Sequence, residues 1–246
     1  NYLSVVTVFR CKQFAVQQDK CAMKVSTDSM ILGSWVEVGQ AQTMLDIGTG
    51  TGILALMLAQ KSADRAHIMA IDIDEDAAMQ AQENVKNGPW PNKIDVICGD
   101  INAAIASRFD LIVSNPPYFE TPAAPTQAYQ TQAVNRQVAR QFSHLSPASL
   151  FSRVAELLSP EGRFYCLYPS ESETDIVETG ARHHLFAQRI MQVQHSETSS
   201  PYVNGYMFSK NDSQVDIRRE TLVIRQANNQ YTPQFKSLCQ GFYLSF

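Results

Sequence analysis

Met44-Leu45-Asp46-Ile47-Gly48-Thr49-Gly50-Thr51-Gly52 is the stretch that decides the fold. Its first four residues read as a short buried strand, its glycines as a tight turn, and Ile53 to Gln60 as a helix apolar on nearly all sides. The unit then repeats. His67 to Ile71 is a second strand ending at Asp72, followed by a helix with Glu75 and Asp76 in its first turn. Ala77, Ala78, Ala81 and Val85 share one face of that helix, and Asn87-Gly88-Pro89 stops it. Ile94 to Cys98 is a third strand, ending at Gly99-Asp100, and Phe109 to Ser114 a fourth. Further on, helices at Leu150 to Leu158 and Thr174 to Arg182 alternate with strands at Arg163 to Leu167, Leu185 to Val193, Val203 to Phe208 and Thr221 to Arg225. Alternating strands and helices predict an α/β, doubly wound, mostly parallel sheet with helices on both faces. Ligands of such sheets bind beyond the carboxyl ends of the strands, near the topological switch point. The glycine turn, Asp72, Asp100 and Asn115 all fall at such ends.

Each of these positions has its own chemistry. Gly48, Gly50 and Gly52 let backbone approach a ligand closely, although the spacing is not Gly-x-Gly-x-x-Gly, whose third glycine would stand at Ile53. Asp72, about twenty residues on, suits a carboxylate that accepts both ribose hydroxyls of an adenosine cofactor. Asp100 can accept from an adenine amine. The fourth strand runs into Asn115-Pro116-Pro117-Tyr118, where two prolines fix φ and carry no N–H. That turn is a rigid acceptor platform for a planar amino group: the Asn115 side-chain oxygen and the Pro116 carbonyl take its two N–H bonds, and Tyr118 stacks on the ring.

Upstream lies a preface, residues 1 to 42, before the main domain at 43 to 246. Phe9 to Val16 favours strand, a polar turn at Gln17 to Lys20 leads to Met23-Lys24-Val25 as a hairpin, and Thr27 is the expected N-cap of a helix through Trp35. Between Tyr118 and Pro147 the period is lost; loops of that length are usually functional or disordered. The chain of 246 residues is 44% hydrophobic and 18% charged, a composition of globular proteins, and holds no apolar run long enough to span a membrane. With no basic and apolar leader at its start, a cytoplasmic location is expected. The five cysteines and five histidines lack metal-ligand or Cys-x-x-Cys spacing, so no metal is expected. A net charge of −4 means that a nucleic-acid partner would have to be met by a local basic patch.

From Thr43 to about Leu167 these motifs together resemble the class I S-adenosylmethionine-dependent methyltransferases, Rossmann-like proteins with a seven-stranded sheet. Asn-Pro-Pro-Tyr is similar to the motif of enzymes that methylate planar amino nitrogens, whether adenine N6, cytosine N4 or glutamine N5. The preface narrows the choice. Phe9 to Val16, Cys21 to Asp28 and Leu32-Gly33-Ser34-Trp35 resemble the N-terminal signature of the bacterial tRNA1(Val) adenine-37 N6-methyltransferases. Ala81-Gln82-Glu83-Asn84, Pro89-Trp90, Leu222 to Arg225 and Phe242-Tyr243-Leu244 match that family too. The resemblance implies methyl transfer from S-adenosylmethionine to an adenine of a tRNA anticodon loop. It implies cofactor binding by Asp46, Gly48, Thr49, Gly50, Gly52, Asp72 and Asp100, and catalysis by Asn115, Pro116, Pro117 and Tyr118. Lys12, Lys24, Arg136 and Arg140 are candidate phosphate contacts, and a monomer is the expected state. Two alternatives stand beside it: a protein glutamine N5-methyltransferase, and a non-catalytic cofactor-binding interaction module.

Overall fold

A computed structural model describes residues 8–21, 23–103, 105, 107–116, 145–212 and 216–246. Its largest element is a sheet built from β3 (Thr43–Ile47), β4 (His67–Asp72), β5 (Ile94–Cys98), β6 (Phe109–Ser114), β7 (Leu158–Pro169), β8 (Phe186–Ser196), β9 (Val203–Ser209) and β10 (Arg218–Arg225). The strand order is β10-β8-β9-β7-β6-β3-β4-β5, with the switch between β3 and β6. Only β9 runs antiparallel to its neighbours. The sheet has eight strands where seven were expected, because β10 pairs in parallel along the outer edge of β8.

Period-2 alternation divides the core into two layers. Met44, Leu111, Val113, Tyr165 and Leu167 face one side, where α1 (Thr27–Trp35), α2 (Ile53–Lys61) and α6 (Pro233–Cys239) pack. Leu45, Ile112, Phe164 and Cys166 face the other, against α4 (Pro147–Leu157) and α5 (Glu173–Arg182). There Phe151 meets Phe164 and Phe208 edge to face, with centroids 5.4 and 4.9 Å apart, the geometry that aromatic quadrupoles favour. On the first side α3 (Glu75–Lys86) lays Ala81 against Gly52, where a Cβ would stand 3.3 Å from the alanine methyl. Glycine at that turn therefore sets how closely α3 approaches it.

The preface folds onto the first layer. β1 (Val8–Arg10) and β2 (Ala15–Gln17) form an antiparallel hairpin that turns at Cys11 to Phe14, closed by the Cys11 N–H donating to Phe14 O. The chain bends at Asp19 and Lys20, within the expected turn, but the expected strand at Met23 to Val25 is not formed. Cys11, Phe14 and Val16 are instead drawn into the core, which moves the turn upstream. The cap of α1 moves by one residue as well. Ser26 rather than Thr27 caps it, through a reciprocal pair in which Ser26 Oγ accepts from Ser29 N–H and Ser29 Oγ from Ser26 N–H.

Candidate functional site

The carboxyl ends of β3, β4, β5 and β6 open into one cavity, lined by Gly48, Thr49, Gly50, Asp72, Asp100 and Asn115 among others. These residues, 67 positions apart at their extremes, were each singled out in the sequence; parallel pairing brings them together. The glycine turn is tied to the next strand, since the N–H groups of Gly48 and Thr49 both donate to Ile71 O, at 2.9 and 3.1 Å. Gly48 and Gly50 have φ of +71° and +55°, and a Cβ at either would meet nothing within 4 Å. The turn thus shows bare backbone to open space, the surface that a closely held ligand needs.

Asp46 does not line the cavity but supports the turn from beneath. It is fully buried; its Oδ2 accepts from Thr49 Oγ at 2.6 Å and from the Ala55 N–H at 3.1 Å, while Oδ1 has no partner among the described residues. Burial pushes its carboxyl up to about 7, helped by the nearby Asp72 charge and opposed by those two bonds. Asp72 also braces the backbone. Its Oδ2 accepts from the Gly50 N–H at 2.8 Å and its Oδ1 from the Asp74 N–H at 3.0 Å, and burial raises its pKa despite them. Each oxygen keeps a lone pair for a further donor. Asp100 Oδ1 accepts from the backbone and side chain of Asn102, both at 2.9 Å.

At the opposite wall Ser114 donates through Oγ to Ile47 O at 2.9 Å, joining the ends of β6 and β3. Next to it Asn115 holds its side-chain oxygen buried and without a partner among the described residues. An unpaired buried amide oxygen is costly, so a position that keeps one is suited to an incoming donor. Pro116 follows, buried. Pro117, Tyr118, Arg136 and Arg140 lie outside the described residues.

The two described lysine candidates part company. Lys24 borders this cavity, whereas Lys12 does not, and donates through Nζ to Gln240 O at 2.6 Å. Sequence reasoning missed most of the wall that carries Lys24: Cys21, Met23, Val25, Ser26 and Ser29 line the cavity from the segment between the hairpin and α1. It also missed Ile73 and Ile101, apolar residues that flank Asp72 and Asp100. For Ile73 the signal was its place directly after a strand-end acid; in the fold it is 39% exposed. Among the described residues no group of three or more His, Cys, Asp or Glu is arranged to hold a metal ion, and no helix is long and apolar enough to cross a membrane.

With that geometry in place, comparison with known proteins gives consistent matches. Residues 21–161 match the family described as methyltransferase small domain. The tRNA1(Val) (adenine(37)-N6)-methyltransferase of Tolumonas auensis is 40% identical over 96% of this chain and 96% of its own length. That of Bacteroides thetaiotaomicron is 40% identical over 96% of this chain and 97% of its own length. Among solved structures, one described as a predicted O-methyltransferase of Agrobacterium tumefaciens superposes with a TM-score of 0.61 at 15% identity, covering 87% of this chain and 95% of that one. That last likeness concerns the fold alone.

Proposed function

The chain belongs to the family of tRNA1(Val) (adenine(37)-N6)-methyltransferases, and from that premise we propose that it transfers a methyl group from S-adenosylmethionine to N6 of an adenine in tRNA, at adenine 37 of tRNA1(Val). The observation that carries the reading is the buried Asn115 oxygen at the end of β6, without a partner among the described residues, across one cavity from a bare glycine turn. The residues present fit the cofactor. Gly48 and Gly50 leave open space where side chains would stand, Asp72 has acceptor capacity for ribose hydroxyls, and Ile73 and Ile101 offer apolar faces to a purine. When bound there, S-adenosylmethionine supplies an electrophilic methyl group.

What this chain's own residues contribute is orientation. Adenine N6 is a poor nucleophile because its lone pair is delocalised into the ring. Asn115 Oδ1 and the Pro116 carbonyl accept its two N–H bonds, which fixes the amine in the cleft and favours a localised lone pair. Two reactants held in line then react as one molecule. No base is needed beforehand, since the methylated nitrogen is acidic and loses its proton afterwards. A base in an anticodon loop is less constrained than one in a duplex, so everting it costs little. Lys24, on the cavity rim, and Lys12 remain candidate phosphate contacts.

The test incubates the protein with methyl-labelled S-adenosylmethionine and tRNA lacking the modification, followed by nucleoside digestion. Label in N6-methyladenosine is expected. Label absent there but found on glutamine of an added release-factor protein would overturn the substrate class, and label in neither would leave only a binding module.

A further inference from the structure

The wall that completes the cavity, Cys21 and Met23 to Ser26, comes from outside the sheet, and the residues leading into it from Gln17 are fastened by polar side chains of α3. Asn84, 2% exposed, is the central fastener. Its Oδ1 accepts from the Gln17 N–H at 2.7 Å, and its Nδ2 donates to Gln17 O at 2.8 Å and to Thr51 O at 2.9 Å. One amide therefore bonds both the lead into the wall and the glycine turn facing it. One turn earlier on α3, the fully buried Gln80 accepts from the Lys20 N–H at 3.0 Å. Gln18 Oε1 closes the loop by accepting from the Val25 N–H at 2.9 Å. Thr51 and Val25 line the cavity, whereas Asn84 and Gln80 do not.

We propose that Asn84 is a positioning residue for cofactor binding: it locks residues 17–26 and the glycine turn in one register, so that the cleft is formed before the ligand arrives. The inference deepens the proposed function and rests on it. Asn84 acts on the cofactor only through Gln17 and Thr51, with Gln80 as a second fastener. Preformed walls spare the ligand the entropy of ordering them. Cofactor binding and closure of the segment are then reciprocally linked, so that each stabilises the other.

Asn84→Asp keeps the acceptor for Gln17 but sets a carboxylate oxygen against the Gln17 and Thr51 carbonyls. The expected results are a loss of about tenfold or more in affinity for S-adenosylhomocysteine by calorimetry, and a matching rise in KM for S-adenosylmethionine. The kcat stays within about threefold of wild type, because a residue that only positions cofactor walls is neutral once the site is filled. Trypsin, with fragments assigned by mass, is expected to cleave after Lys20 and Lys24 faster in the variant without ligand. In wild type, S-adenosylhomocysteine should slow that cleavage. Should Asn84→Asp fail to fold, Gln80→Met carries the same test through the Lys20 N–H alone. A folded variant with wild-type affinity and wild-type cleavage at both lysines overturns the positioning role. A wild-type protein that binds no S-adenosylhomocysteine overturns the functional reading itself.

Discussion

At the scale of single residues, two side chains carry opposite loads. Asn115 spends a buried oxygen with no partner among the described residues. Asn115→Ala removes that acceptor, and tRNA methylation is expected to fall on the order of a hundredfold or more, the usual effect of deleting one preorganised polar contact to a reacting group. Affinity for S-adenosylhomocysteine, measured by calorimetry, should persist; near-wild-type turnover would remove Asn115 from its role. Asp46 gives a pH signature instead. Its carboxyl titrates near 7 in the fold against 3.8 ordinarily, so the folded state holds the proton more tightly than the unfolded chain. That contribution is complete below about pH 4 and is lost as pH rises through about 7. Relative to Asp46→Asn, the wild type should lose stability across that window by at most roughly 4 kcal/mol, read from urea unfolding at several pH values. A constant difference from pH 4 to pH 8 would show that Asp46 is not held protonated.

Whole elements were legible where their cause is local. The unit β3, glycine turn, α2 could be read because a buried run, positive-φ glycines and an apolar helix succeed one another without interruption. The hairpin turn could not, since Cys11 to Phe14 is chosen by where Phe14 and Val16 find core, a long-range matter. The C-terminal end of α1 shows the same limit. Its carbonyls at Gly33, Ser34 and Val36 accept from the Nζ of Lys61, which belongs to α2. No pattern in either helix announces that cap. Lys61→Met keeps most of the packing and strands these carbonyls, so a loss of roughly 2 kcal/mol is expected, seen as a lower urea midpoint with an unchanged slope. An unaltered midpoint would mean that water satisfies the three carbonyls equally well.

Over the whole molecule, the row of site residues was readable because each ends a parallel strand, and pairing aligns such ends whatever the details. The wall between the hairpin and α1 was not, because Asn84 and Gln80 hold it over separations of 67 and 60 positions. A comparable tie joins the two ends of the fold. The Lys12 N–H donates to Phe242 O and Lys12 Nζ to Gln240 O, and Gln60 donates to Gly241 O. During synthesis at about 5–20 residues per second, roughly 10–50 s separate residue 12 from residue 242. For that interval the hairpin next to the cleft lacks its last anchor. A chain stalled short of residue 240 can still make the tie from Gln17 to Asn84 but has no partner for Lys12.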